Sequence, residues 1–422
     1  MKNITLVLTL LLFVNNLFSQ WELKADLSYQ YPPLTFNVGK ICFTSAQNGY
    51  YWLTAGGIHY ASYDIMRTVN GWQSNTLVYS QGGNYNQYYI RDMVFINDTI
   101  GYKLSGYGPF LGIDKTVNGG SEWTTVANNT SMYLGIALSY PSEDLGFYLR
   151  SVGGSPNFQV VASDHGSCSI IDFSENFVNA SYINFINDST GFLFCRDTLQ
   201  NYVCMRTTDA AATWNFVLSD SLNSFSELHF PTDQIGYLAA NNGRAYKTTD
   251  GGVTWNQLTT SNNRKLNSVF FLDEDFGFFA GDSGLILRTI NGGQNWTIDS
   301  TFTKDSIKKV FFADSLTGYF ATSTNKIFKT GFVGIPENIL TEEKTESIIL
   351  FPNPADNYIS LKNSQKLQRA SIKIFSNQGK EVSTLVNWVS DSKLDISKLA
   401  SGLYFLQIST TNKVLTGRFI KK

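Results

Sequence analysis

Residues 247–258 read KTTDGGVTWNQL, and 41 residues further on the chain writes RTINGGQNWTID at 288–299, with Thr, Gly-Gly and Trp in the same slots. KTVNGGSEWTTV at 115–126 has the full pattern, while RTTDAAATWNFV at 206–217 keeps Thr, Asp and Trp but lacks both glycines. RTVNGWQSNTLV at 67–78 is a decayed copy whose Trp comes three positions early, and VASDHGSCSIID at 161–172 is fainter still. A second landmark travels with the first: an aromatic, five turn-like residues, then Gly-aromatic, from FTSAQNGY at 43–50 to FADSLTGY at 312–319. Its glycines are Gly49, Gly101, Gly146, Gly191, Gly236, Gly277 and Gly318, at steps of 52, 45, 45, 45, 41 and 41 residues. Seven marks near one period define a repeat architecture, in which each unit buries its apolar faces only against its neighbours.

The cleanest unit, ELHFPTDQIGYLAANNGRAYKTTDGGVTWNQL at 227–258, divides into four strand-like pieces at three turn signals, the middle one Asn241-Asn242-Gly243. Four short antiparallel strands make one propeller blade, so the chain is expected to be all-β, a seven-bladed β-propeller. In the recurring turn, Asn118, Asp209, Asp250 and Asn291 are placed to accept backbone N–H bonds. Gly119, Gly120, Gly251, Gly252, Gly292 and Gly293 allow positive φ. Trp123, Trp214, Trp255 and Trp296 then begin the outer strand and bury a flat surface against the neighbouring sheet. The last repeat stops after three strands, at about Phe332, whereas WELKADL at 21–27 resembles the outer strand WNQLTTS at 255–261. Trp21–Leu27 is therefore expected to supply the missing strand and close the ring.

The TTDGGVTW motif resembles the Asp-box of sialidase-type propellers. Its combination with the Gly-aromatic landmark resembles the photosynthesis system II assembly factor type of BNR-repeat propeller, over about residues 21–332. The resemblance implies the fold and leaves the activity open, because Asp-boxes occur in enzymes and non-enzymes alike and usually lie away from the central axis where propellers bind ligands.

The chain opens MKNITLVLTLLLFVNNLFSQ: Lys2, an apolar run over 4–12 and the small Ser19 read as a secretory signal peptide over 1–19, cleaved between Ser19 and Gln20. The propeller then occupies 20–332, the polar stretch VGIPENILTEEKTES a linker over 333–347, and a small β-sandwich 348–422. The sandwich carries Phe351-Pro352-Asn353-Pro354, a turn at Asn377–Lys380 containing Gly379, Ser401-Gly402-Leu403-Tyr404 and a terminal Lys pair. These landmarks resemble the type A C-terminal sorting domain of the type IX secretion system. The resemblance implies the secretion machinery as a partner, and a protein released from or attached to the outer surface of a Gram-negative bacterium.

Charge and composition exclude several classes. Residues 349–422 hold 11 Lys and Arg against 4 Asp and Glu, while the whole chain is at −2, so the propeller is mildly acidic and offers nucleic acid no electrostatic footprint. No second apolar run is long enough to span a bilayer. His59, His165 and His229 stand alone, no metal-ligand spacing appears, and no cofactor is expected. Asp273-Glu274-Asp275 could face calcium, but it fills the inter-strand turn position of Asn97-Asp98 and Asn187-Asp188, which favours capping. Cys195 and Cys204 lie on the two arms of an expected hairpin, either as a disulfide or as two packed thiols. Asp-Ser/Thr triplets at Asp98, Asp188, Asp197, Asp220, Asp299, Asp305 and Asp314 resemble bacterial O-glycosylation sites, and also suit ordinary turns.

No catalytic constellation is evident: the early Arg-Ile-Pro signature of sialidases is absent, and no nucleophile or phosphate-cradling motif appears. The expectation is a non-enzymatic binding or scaffold propeller whose loops meet a protein or glycan. The alternative is a glycoside hydrolase, which would show paired carboxylates or an arginine cluster at the central pocket.

Overall fold

The computed structural model describes residues 20–331 and 345–422 apart from short breaks, the longer ones at 28–34, 153–156, 173–176, 362–370 and 377–381. The chain divides into two compact units, Ser19–Phe332 and a second that contains Val333–Lys422. Among the described residues the first unit holds seven four-stranded antiparallel sheets, each an up-and-down meander of consecutive strands except the last. That last sheet joins Ile307–Phe312, Thr317–Thr322 and Lys326–Gly331 to Gln20–Asp26, from the other end of the unit. Gln20 lies opposite Gly331 and Asp26 opposite Lys326, and Trp21 is only 3% exposed, packed 4.7 Å from Phe320 and 6.0 Å from Phe312.

The Gly-aromatic landmark records how neighbouring blades are glued. In each blade the aromatic after the glycine stacks on the first landmark aromatic of the next blade. Tyr50 lies 3.5 Å from Phe95, Tyr102 3.5 Å from Tyr140, Phe147 3.5 Å from Phe185 and Tyr237 3.4 Å from Phe271. Phe192 on Phe230, Phe278 on Phe312 and Tyr319 on Phe43 complete a belt of seven stacks that runs through the closure. The glycine supplies the slot: a Cβ on Gly101, Gly191 or Gly236 would strike the ring of Phe95, Phe185 or Phe230 in its own blade. The hydrophobic core is accordingly divided among the blade–blade interfaces, as where Leu27, Tyr319 and Ile327 pack with Ile41, Tyr51 and Trp72.

The Asp-box turns cap the ends of the blades. Asp250 Oδ1 accepts from the Thr254 backbone N–H at 2.9 Å and Thr248 Oγ1 from that of Gly252 at 2.9 Å; Asn291 and Thr289 repeat both bonds for Asn295 and Gly293. The Thr254 hydroxyl and amide hold the Asp250 carboxyl down at about 2. Basic residues tie two of these turns to the preceding blade: Arg206 Nε donates to Gly251 O at 2.7 Å and Lys247 Nζ to Gly292 O at 2.9 Å. The tryptophans are half-buried, and Trp255 meets Phe192 of the previous blade edge-on at 6.2 Å.

The decayed copies keep the turn geometry by other means. Trp72 occupies the left-handed position (φ 68) held elsewhere by the second glycine, and packs against Gly49 with 1% exposure. In the copy without glycines, Ala210 (φ 54) and Ala211 (φ 74) adopt the left-handed conformation despite their Cβ atoms. Such a conformation costs an L-residue about 1–2 kcal/mol, part of which glycine returns as chain entropy. Ala210→Gly should therefore stabilise the protein by about 0.5–1 kcal/mol, read as a raised urea midpoint at unchanged slope. Ala211 is fully buried and would forfeit packing on the same change.

The second unit is a sandwich of two four-stranded sheets, one containing Ser371–Ser376, Gly402–Ser409, Val414–Lys421 and Thr345–Ser347 in parallel. Leu350, Ile359, Ile374, Leu394, Leu406 and Phe419 form its core. The PNP segment pins the final strand: Asn353 Oδ1 accepts from the Ile420 N–H at 2.8 Å, and the Ala355 N–H donates to Ile420 O at 2.7 Å. Tyr404 stacks on Phe419 at 5.5 Å and donates its hydroxyl to Ala400 O, one turn from Gly402. Pro352 and Pro354 flank Asn353 and are exposed; Gly379 lies outside the described residues.

Candidate functional site

The first strand of every blade carries an irregularity at one register position, between Ile90 and Asp92, Gly135 and Ala137, Val178 and Tyr182, Phe225 and Glu227, Leu266 and Ser268, and Ile307 and Lys309. The first blade has its own between Val38 and Ile41. The bulge turns one residue per blade onto a common ring: Lys40, Asp92, Ala137, Tyr182, Glu227, Ser268 and Lys309. Their spacing repeats the 52, 45, 45, 45, 41 and 41 steps of the landmark glycines.

Members of the ring bolt blades together, adjacent ones through Asp92 and Ser268 and the fifth to the seventh through Glu227 and Lys309. Asp92 Oδ1 accepts from Lys40 Nζ and from its own neighbour's amide, Met93, both at 2.8 Å, and Oδ2 accepts from the Leu138 N–H at 2.8 Å. Glu227 Oε1 accepts from Lys309 Nζ, and Oε2 from Ser268 Oγ at 2.6 Å and the Val269 N–H at 3.2 Å. Ser268 Oγ accepts in turn from the Val310 N–H at 3.1 Å. Burial works against the Lys40 ammonium, but the Asp92 carboxylate outweighs it and raises the pKa. Lys40 keeps 44% of its side chain exposed, so its pairing contributes position more than stability.

A cavity of about 360 Å³ opens above this ring, floored by Lys40, Tyr182, Glu227 and Lys309. Its walls include Ser226, Asn267 and Lys308, one residue before the ring in their strands, and Thr322, Ser323 and Asn325 from the hairpin of the closing blade. Asn267 is held by Nδ2 bonds to Asp282 Oδ1 at 2.9 Å and Ile307 O at 2.9 Å.

Below the ring sits His229. Its Nδ1 accepts from the Phe271 N–H at 3.3 Å, its ring lies 4.6 Å from that of Phe270, and burial followed by the Lys309 charge lowers its pKa to about 4. The unfolded chain, with a His near 6.5, takes up this proton first. The stabilisation is therefore complete well above pH 6.5 and drains away as pH falls towards 4, the loss reaching about 2 kcal/mol by pH 5. Of the charged groups that act on it, Lys309 lowers the pKa and Glu227 raises it. His229→Gln, which keeps a neutral acceptor, should flatten thermal stability between pH 6.5 and 4 relative to the parent.

The Cys195–Cys204 disulfide does not form, and all four cysteines are free thiols. Across the hairpin Cys195 pairs with Val203 and Cys204 with Phe194, so the two side chains point to opposite faces of the sheet. Cys195 packs between this blade and the preceding one, Cys204 between this blade and the next. Burial pushes Cys195 up to about 12 and Cys204 well above its ordinary value, while Cys168 is exposed. Native protein treated with a maleimide should label first at Cys168, with Cys195 and Cys204 reacting only after unfolding.

Other sequence-marked residues serve the turns. Asp273 Oδ1 caps the Asp275 and Phe276 amides at 2.9 and 2.7 Å, and among the described residues no cluster of three His, Cys, Asp or Glu is placed to hold a metal ion. Of the triplet hydroxyls, Thr99, Ser189, Thr198 and Ser221 are exposed and Ser306 bonds Asp282 at 2.5 Å. Ser300 and Ser315 lie outside the described residues, as do His59, His165 and Ser19, while Gln20 begins the closing strand. None of the Asp-box residues lines the axial cavity. No described helix is long and apolar enough to cross a membrane.

The molecule is thus a BNR-type β-propeller joined to an export module. Residues 349–422 match the family described as the secretion system C-terminal sorting domain, which makes the chain a cargo of type IX secretion. Residues 205–304 match the family described as photosynthesis system II assembly factor YCF48. Among solved structures, the WD40 β-propeller domain of Doa1 aligns at a TM-score of 0.51 with 10% identity, covering 77% of this chain and all of that one, a likeness of fold alone. YCF48 from Cyanidioschyzon merolae aligns at 0.49 with 13% identity over 74% of this chain and 99% of its own, and YCF48 bound to D1 peptide at 0.44 with 14% over 65% and 98%. No curated protein matches the chain.

Proposed function

We propose that this exported protein is a binding propeller, non-catalytic, which takes its ligand at the axial cavity, and that it acts outside the cell, free or held at the outer surface. The observation that supports this reading is the state of the two axial carboxylates. A glycosidase needs one carboxyl able to donate a proton and another able to attack or to activate water. Here every oxygen of Asp92 and Glu227 already accepts from a lysine, a hydroxyl or a backbone N–H, all but one of them from another blade. They lock blades together, and the cavity above them presents fixed donors and hydroxyls. The tail supports the extracellular setting, since a chain exported by this route meets its partner beyond the outer membrane.

The test is a glycan array and a cell-surface pull-down with the full chain, with every glycan hit assayed for hydrolysis products. Retention without cleavage, abolished by Ser226→Trp, which fills the cavity, is the expected result. Product release from any retained glycan, or retention indifferent to the plug, would overturn the reading.

A further inference from the structure

We propose that the axial cavity recognises an acidic sugar, a hexuronate-class ring whose carboxylate sits among Lys40, Lys308 and Lys309; this deepens, and rests on, the reading of the cavity as the ligand site. Three lysines line it, from the first and last blades. An ammonium carries three donors. Lys40 is paired with Asp92 and Lys309 with Glu227, whose oxygens are all engaged, so those carboxylates orient the lysines and leave further donors for a ligand. Lys308 is exposed and forms no ion pair among the described residues; it acts on the Asp282 carboxyl only at longer range.

The remaining wall speaks for a hydroxyl-rich ligand. Ser226 Oγ is buried in the cavity lining and has no hydrogen-bond partner. An orphaned buried hydroxyl costs about 1–3 kcal/mol, which a ligand oxygen would relieve. Asn267 commits its amide nitrogen to Asp282, Ser306 and Ile307, which leaves its Oδ1 fixed as an acceptor for a sugar hydroxyl. Among the described lining residues only Ile41, Ala321 and Tyr182 are hydrophobic, beside nine whose side chains end in a hydroxyl, amide, carboxylate or ammonium group. At about 360 Å³ the cavity is at the small end of ligand pockets and suits a terminal sugar ring better than the interior of a polysaccharide.

The experiment is calorimetric titration of the full chain with glucuronate, galacturonate, glucose, galactose and acetate, repeated at high salt and with Lys308→Ala. The expected result is a uronate bound roughly tenfold more tightly than its neutral parent, weakened by salt, with the preference lost in Lys308→Ala at unchanged melting temperature. Equal affinity for acidic and neutral sugars, or a preference unaffected by Lys308→Ala, would overturn acid recognition while leaving the binding reading intact. Acetate competing as well as a uronate would overturn the sugar assignment. Failure of every sugar to bind overturns the inference, and the array with the Ser226→Trp plug then decides separately whether the cavity binds anything.

Discussion

Gly191→Ala should destabilise the propeller by about 3 kcal/mol, one methyl group notwithstanding, and leave much of the expressed protein insoluble. The added Cβ would lie 2.6 Å from the Phe185 ring, and that ring has nowhere to go. Its far face stacks on Phe147 at 3.5 Å with an interplanar angle of 7°, and Trp214 closes its edge at 6.1 Å and 84°. Phe185 is only 5% exposed, so a shift would open a void or push the neighbouring blade aside. The backbone at Gly191 is not left-handed, so the cost is steric and a smaller ring partner should recover part of it. Urea unfolding of Gly191→Ala, Phe185→Leu and the double variant checks this. A double variant no worse than Phe185→Leu alone would confirm the clash, and a single Gly191→Ala variant of parental stability would show the stack to be yielding.

Trp21→Ala should cost about 3–5 kcal/mol, the range for truncating a large buried aromatic. Trp21 fills the interface of the last two blades with Phe278, Ile307 and Phe320, and it anchors the strand that joins the two ends of the ring. Trp255→Ala, on a half-buried Asp-box tryptophan, should cost visibly less. Matched denaturation curves for the two variants supply the comparison; equal losses would mean that the closing strand contributes no more than an ordinary outer strand.

The repeat, its strand count and its closure were legible because they rest on residue types that the geometry forces. A glycine must face each landmark ring, and a Thr, Asp or Asn must cap each Asp-box turn. The axial ring was invisible for the opposite reason. Lys40, Asp92, Ala137, Tyr182, Glu227, Ser268 and Lys309 share a position but no chemistry, so only their inherited spacing betrays them. The bulge that turns them inward adds a residue to each strand and disrupts the alternation by which inward-facing residues are normally read. The supposed disulfide failed on a comparable detail: a register offset of one residue across the hairpin sends Cys195 and Cys204 into different cores.

The clasp that closes the ring also decides how the propeller answers to mechanical load. Gln20 and Gly331 are neighbours in the antiparallel register, so tension applied between the two ends of the domain pulls at one end of the strand pair. The load then falls on the terminal hydrogen bonds in turn, from Gln20 towards Asp26, and peels the pair like a zipper instead of shearing it. In the other six blades covalent turns join every pair of strands, so tension would first release this single noncovalent seam. A protein held at a cell surface by its C-terminal side and grasped by its N-terminus would open into an arc at low force while its other six sheets were still intact.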